Sequence, residues 1–202
     1  MNKLLAALLL IPFMAHFNLF AAGDEYPYEK AWKQVDSLEN KGLPRSALEV
    51  VEKIYAVADE EQNDAQLVKA LIHVMKYHDQ IEEKSDSMNL ERMNRELARA
   101  QFPRKQILHS MLADMYFSYY QNHRWQLYDR TAISVELADF QTWDAATFFA
   151  QSSAHYLASL APAAELQQRP IADYAPLLVR QKESERYRPT LFDLLAHRAI
   201  DF

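Results

Sequence analysis

The sequence predicts an all-α protein, an irregular antiparallel array of helices, and three observations carry that expectation. The first is glycine. The 202 residues contain two, Gly23 and Gly42. Hairpins and tight loops need residues at positive φ, which glycine supplies most readily, so a chain with one glycine beyond residue 23 has little means of building a sheet. The second is spacing. From Tyr28 onward, apolar residues recur at i, i+3, i+4 and i+7, the pattern of one helix face. The third is punctuation. Ser, Thr, Asp, Asn and Pro stand at the breaks between those runs, where helices start and stop.

The first segment is a leader. Lys3, the apolar Leu4–Phe13 and Ala21-Ala22-Gly23 form the positive region, apolar core and small-residue cleavage site of a signal peptide over 1–23. Pro12, His16 and Asn18 interrupt the run too often for a membrane span. Export to the periplasm, the cell surface or the exterior is therefore expected. With no cysteine there is neither a lipid-attachment site nor a disulfide. Removing residues 1–23 leaves 179, read as one helical module over 24–202. That length buries roughly 70% of the surface of its unfolded chain.

The elements follow in order. Tyr28, Ala31, Val35 and Leu38 form a stripe that ends at Lys41-Gly42, with Gly42 suited to the position just past a helix C-cap. Leu43-Pro44-Arg45 turns the chain, and Ser46 is expected to cap a second helix with Glu49 as its partner. Ala47, Val50, Val51, Ile54, Tyr55 and Ala58 make that helix amphipathic. Asn63-Asp64 breaks it, and Val68, Leu71, Ile72 and Met75 mark a third. The polar stretch Glu82–Asn89 reads as a linker before a short helix reaching about Gln101, in which Glu91 stands four residues before Arg95. Pro103 starts a helix whose stripe is Ile107, Leu108, Met111, Leu112, Met115, Tyr116 and Tyr119. Gln121–Phe140 carries no clear pattern. Thr142-Trp143-Asp144 opens a helix to Leu160, and Pro162, Pro170 and Pro176 make 161–188 loop with one short helix. Last, Thr190 caps a helix with Asp193 as its capping-box partner, running through Leu191, Leu194, Leu195, Ala199 and Ile200 to Phe202. No Gly, Asn or Pro closes it. Ile200 and Phe202 would stand in water, and truncation of a longer chain is the expectation. Antiparallel pairs of this length suggest a tetratricopeptide-like α-solenoid, with a compact helical bundle as the alternative; no period near 34 residues recurs downstream.

Composition excludes several chemistries. Lys and Arg number 22 against 28 Asp and Glu, net −6, or −7 without the leader, whose one charge is Lys3. No basic stripe emerges, which argues against a nucleic-acid partner. One glycine in the mature chain supplies neither a phosphate-cradling loop nor a Gly-x-Ser-x-Gly nucleophile elbow, and no cysteine nucleophile exists. Asp193, His197 and Asp201 lie at i, i+4 and i+8 on one helix face, as a metal or acid–base site requires. The same spacing describes the solvated side of an amphipathic helix, which is the expectation. His73 and His78 are five apart and fall on diverging faces, without a His-Glu-x-x-His motif. His109 lies beside a core stripe and reads as a hydrogen-bonded, partly buried histidine. Tyr116, Phe117, Tyr119, Tyr120, Trp125 and Tyr128 offer rigid contact surface for a protein or sugar; half continue the helix stripe, so core is expected. Asp59-Glu60-Glu61 and Glu82-Glu83 lack the alternating oxygens of a calcium loop and read as solvated faces. No catalytic, cofactor or metal site is assigned.

One resemblance adds to this. Arg188-Pro189-Thr190-Leu191-Phe192-Asp193 with Leu195-Ala196, Arg198-Ala199 and Asp201-Phe202 resembles a block near the N-terminus of large bacterial alpha-2-macroglobulin-like proteins. Trp32, Lys41–Glu49, Ile54-Tyr55 and Gln66–Leu71 resemble the opening of the same proteins. So do Ile107–Ala113, Tyr116, Trp125 and Asp129-Arg130-Thr131, and the blocks fall in order. In that family a helical lead-in precedes an array of β-sandwich domains, and the inhibitors trap proteases with a bait region and, often, a cysteine–glutamine thioester. This chain has no cysteine and cannot form that bond. The resemblance implies a non-catalytic N-terminal helical module of a secreted protease inhibitor, serving positioning or protein interaction. Its partners would be the remainder of the larger chain and, through that parent, extracellular proteases. The alternative is a free-standing extracytoplasmic helical-repeat adaptor for a protein or glycan.

Overall fold

The structure, a computed structural model, describes residues 26–82, 85–127, 139–179 and 183–202. Residues 1–23, read from sequence as a leader, Glu83, Tyr128 and Asp129-Arg130-Thr131 lie outside the described residues. Those described fold as helices α1 (Tyr28–Asn40), α2 (Pro44–Glu60), α3 (Asp64–Ile81), α4 (Ser85–Arg99), α5 (Arg104–Leu127), α6 (Ala145–Ser159), α7 (Ala163–Leu166), α8 (Ser184–Tyr187) and α9 (Leu191–Ile200). Two 3-10 stretches, Phe140–Thr142 and Ile171–Leu177, complete them. The only β pairing among the described residues is an isolated bridge between Pro170 and Thr190. No described helix is long and apolar enough to cross a membrane.

Gly42 ends α1 as its sequence position predicts. At φ +68 its N–H donates to Glu39 O at 2.9 Å, while Leu43 N–H reaches Leu38 O at 3.0 Å, the paired bonds of a Schellman closure. The same closure ends α2 without glycine. Gln62 takes φ 53, its N–H meets Asp59 O, and Asn63 N–H meets Ala58 O at 2.9 Å. The Gln62 side-chain Nε2 also donates to Asp59 O at 2.5 Å. A glycine-poor sequence therefore still makes left-handed turns, at a cost of about 1–2 kcal/mol for such a residue. Asn63 then turns from closing α2 to capping α3, its side chain accepting Gln66 N–H at 3.2 Å.

Several boundaries differ from the expectation. Ser46 lies inside α2 and does not cap it; α2 begins at Pro44, whose missing N–H costs nothing in the first turn. Glu82–Asn89 is not a linker throughout, because α4 starts at Ser85 and buries Asn89, Leu90 and Met93. The helix from Pro103 runs on through Gln121 to Leu127, which is 4% exposed. Within the expected opening Thr142-Trp143-Asp144, it is Asp144 that caps α6, accepting Thr147 N–H at 2.8 Å. Residues 161–188 hold α7, the 3-10 run and α8 where one short helix was expected.

Two adjoining cores hold the array together. Trp32, Val35, Ala47, Val51, Ile54 and Ala58 close α1 and α2 over Leu67, Ala70, Val74 and Tyr77 of α3. Ala65, Val68 and Leu71, on another face of α3, join α4, α5, α6 and α9 in the second. Each buried Leu- or Phe-sized side chain contributes about 1.5–3 kcal/mol. Consecutive helices pack from α1 to α6, and α9 returns to α5, α6 and α7. The capping box at Thr190 and Asp193 forms as predicted, with Asp193 N–H to Thr190 Oγ1 at 3.3 Å and Thr190 N–H to Asp193 Oδ2 at 2.9 Å. Leu191 and Leu195 are buried on the array. Ile200 is 82% exposed, but Phe202 is not left in water: its ring meets Phe117 edge-on at 4.8 Å and Tyr156 at 5.1 Å.

Candidate functional site

The i, i+4, i+8 set on α9 does not assemble. Asp193 is committed to Thr190, while His197 Nδ1 pairs with Asp201 Oδ2 at 2.9 Å on an exposed turn. No group of three or more metal-binding side chains occurs among the described residues. His73 and His78 do diverge. The His73 ring lies 4.8 Å from Trp32 and 6.1 Å from Tyr77, and burial lowers its pKa. His78 instead meets Glu82 Oε1 at 3.0 Å and Arg92 at 3.1 Å.

Part of the acidic sequence is structural, contrary to its reading as solvated face. Asp59 accepts Arg99 Nη1 at 2.8 Å, and Glu61 Oε2 accepts the Tyr28 hydroxyl at 2.5 Å. Arg104, 5% exposed, stands 3.4 Å from Asp64 and 3.9 Å from Asp59, so one guanidinium ties α2 and α3 to the start of α5. Burial raises the Asp64 pKa against the opposing pull of Arg104 and Arg169.

The aromatic run, expected to be core, is so only in part. Tyr116 is buried at 4.8 Å from Trp143, and Tyr119 stacks on Phe148 at 5.5 Å. Trp125 is 79% exposed, with Arg124 over its ring at 5.1 Å.

His109 is the partly buried, hydrogen-bonded histidine its sequence position predicts, and its partner is another histidine. Its Nδ1 lies 2.9 Å from Nδ1 of His155 on α6. One nitrogen must donate and the other accept, so at least one ring is neutral. Burial, with the positive charge of His155 and Lys105 behind it, lowers His109 to about 4; burial also lowers His155. Nothing in the sequence pairs residues 46 apart, so His155 was not found there.

A groove of about 320 Å³ opens where α3, α4 and α5 converge. Each helix offers one face: Ile72, Met75, Lys76 and Asp79 from α3; Asp86, Asn89 and Leu90 from α4; Met115, Tyr119 and His123 from α5. Within each helix the residues stand three or four apart, so one face of each turns to the groove. Asn89, 4% exposed, donates Nδ2 to Asp79 Oδ1 at 2.7 Å and to Met75 O at 3.3 Å, while its Oδ1 has no partner. Lys76 has its ammonium on Glu39, which also accepts the Tyr77 hydroxyl at 2.9 Å. His123 Nδ1 lies 2.9 Å from Tyr119 O, with its ring stacked on Tyr119 at 4.1 Å. Ile72 and Met75 read from sequence as plain core stripe; the stripe in fact ends in an open face, and Asp79 one turn on was its unread polar signal. No protein-family model matches the chain, nor does any curated protein or solved structure.

Proposed function

We propose that this chain is a non-catalytic N-terminal helical module of a secreted alpha-2-macroglobulin-like protease inhibitor, exported by its leader and serving positioning or protein interaction. The observation that supports this most is that the stretches carrying the resemblance bond to one another. Trp32 Nε1–H donates to Gln66 Oε1 at 2.7 Å, 34 residues on, joining α1 to α3. Arg198 Nε–H donates to Ser110 Oγ at 2.9 Å, 88 residues back, joining α9 to α5. The residues shared in the resemblance are thus framework contacts, as a module retained for its shape requires. Serial packing of α1, α2 and α3 favours stacked tetratricopeptide-like hairpins, while the return of α9 onto α5 and α6 favours a compact bundle.

A free-standing extracytoplasmic adaptor is the second reading, and the open groove between α3, α4 and α5 favours it, since such a site works without a parent chain. The gene beyond the codon for Phe202 separates the two. In-frame β-rich, glycine-containing segments are the expected result; an immediate stop codon in an intact gene overturns the inhibitor reading in favour of the adaptor.

A further inference from the structure

We infer that the groove between α3, α4 and α5 binds the guanidinium or ammonium group of a basic side chain presented by a partner polypeptide. Its charged wall is acidic, beside the hydroxyl of Ser118 and the amide of Asn122, each of which can donate or accept. Asp79 and Asp86 carry the negative charge, and the ammonium of Lys76 is already held by Glu39. Asn89 cannot turn its amide over, because Nδ2 faces two acceptors, Asp79 Oδ1 and Met75 O. Its Oδ1 is therefore fixed as a buried acceptor without a donor, a costly state at the lining of the groove. His123 must donate Nδ1–H to the Tyr119 carbonyl, so it adds no second N–H on that side of the ring. Two carboxylates from two helices, with neutral polar groups from the third, suit a cation with several donors. Guanidinium carries five N–H groups and ammonium three.

The floor fits the stem of such a side chain. Ile72, Met75, Leu90 and Met115 present aliphatic and thioether surface to methylenes. A volume of about 320 Å³ is at the lower end for ligand sites and has room for one long side chain. The site is a groove across three helices and not an enclosed cavity, so the rest of the occupant stays outside, as a polypeptide backbone does. The net charge of −6 draws basic partners toward the surface.

The test is an NMR titration of the ¹⁵N-labelled chain with three probes: acetyl-Gly-Arg-Gly-amide, its citrulline counterpart and agmatine. The arginine peptide is expected to shift the amides of Asp79, Asn89 and His123 saturably, and the isosteric but neutral citrulline peptide is not. Asp79→Asn combined with Asp86→Asn should weaken the arginine peptide at least about tenfold. Asn at 79 still accepts from Asn89, and an unchanged circular dichroism spectrum verifies the fold. Equal binding of the citrulline peptide, unchanged affinity in the double variant, or no saturable shift at the groove each overturns the inference. Agmatine weaker than the peptide supports a polypeptide occupant; agmatine tighter overturns that occupant in favour of a free amine. The citrulline comparison needs no variant and decides the matter even if the double variant misfolds. The groove and the proposed parentage fail separately: a stop codon after Phe202 leaves the groove standing, and a blank titration leaves the parentage standing.

Discussion

Acidification should loosen the joint between α5 and α6 through His109 and His155, whose Nδ1 atoms share one proton across 2.9 Å. In the folded chain His109 takes up a proton only near 4, and burial lowers His155 in the same direction. In the unfolded chain both protonate near 6.5. Between those values the unfolded state binds more protons, so stability falls as pH falls from about 6.5 toward 4. For His109 alone the gap corresponds to roughly 3 kcal/mol at full conversion. The pair is partly open to solvent, and screening reduces this to about 1–2 kcal/mol. Urea unfolding at pH 7.5 and 4.5 of the parent and of the double variant His109→Gln/His155→Gln measures it, because carboxylates titrate alike in both. The variant is expected to be the less stable at pH 7.5, with the difference shrinking by about 1–2 kcal/mol at pH 4.5. A stability difference constant to within about 0.3 kcal/mol, or a His109 ring titrating near 6.5 by NMR, would refute the reasoning.

Three further outcomes are expected. Leu195→Ala removes a side chain 1% exposed between α9 and its neighbours and should cost about 2–5 kcal/mol in urea unfolding, with the loss of Phe202 ring-current shifts as a local readout. Gln62→Gly, relieving a left-handed residue at φ 53, should raise stability by about 0.5–1 kcal/mol; a decrease would show that its bond to Asp59 O outweighs the backbone strain. Thr190→Ala deletes both hydrogen bonds of the Thr190 hydroxyl, one of them half of the capping box, and should lower stability by about 1 kcal/mol, read as a lower thermal midpoint.

Amino-acid order alone was enough for the longer helices and for some of the local devices that bound them. Gly42 closing α1 and Thr190 opening α9 depend on residues within five positions, where backbone geometry leaves few choices. Where a boundary had two local solutions, neighbours chose. Ser46 could cap, yet Pro44 starts α2 a turn earlier; Gln62 takes a glycine's place because Asp59 O is in reach of its amide. The polar stretch before Met93 became helix because Asn89 finds Asp79 and Met75 O on α3, a partner no periodicity reveals.

The candidate sites belong to tertiary structure. His109 was legible as partly buried from its place beside the stripe, but its partner is 46 residues away on another helix. The groove exists because α3, α4 and α5 converge with one face each unclosed, which depends on how three helices cross and not on what any one contains. Spacing along one helix put Asp193, His197 and Asp201 on a common face, and the capping demand of the helix start took Asp193 away from the others. Sequence settles what lies within a turn or two along the chain, because those contacts are enforced by covalent connection. Which faces meet is decided by packing over tens of residues, and for this protein that is where its sites are made.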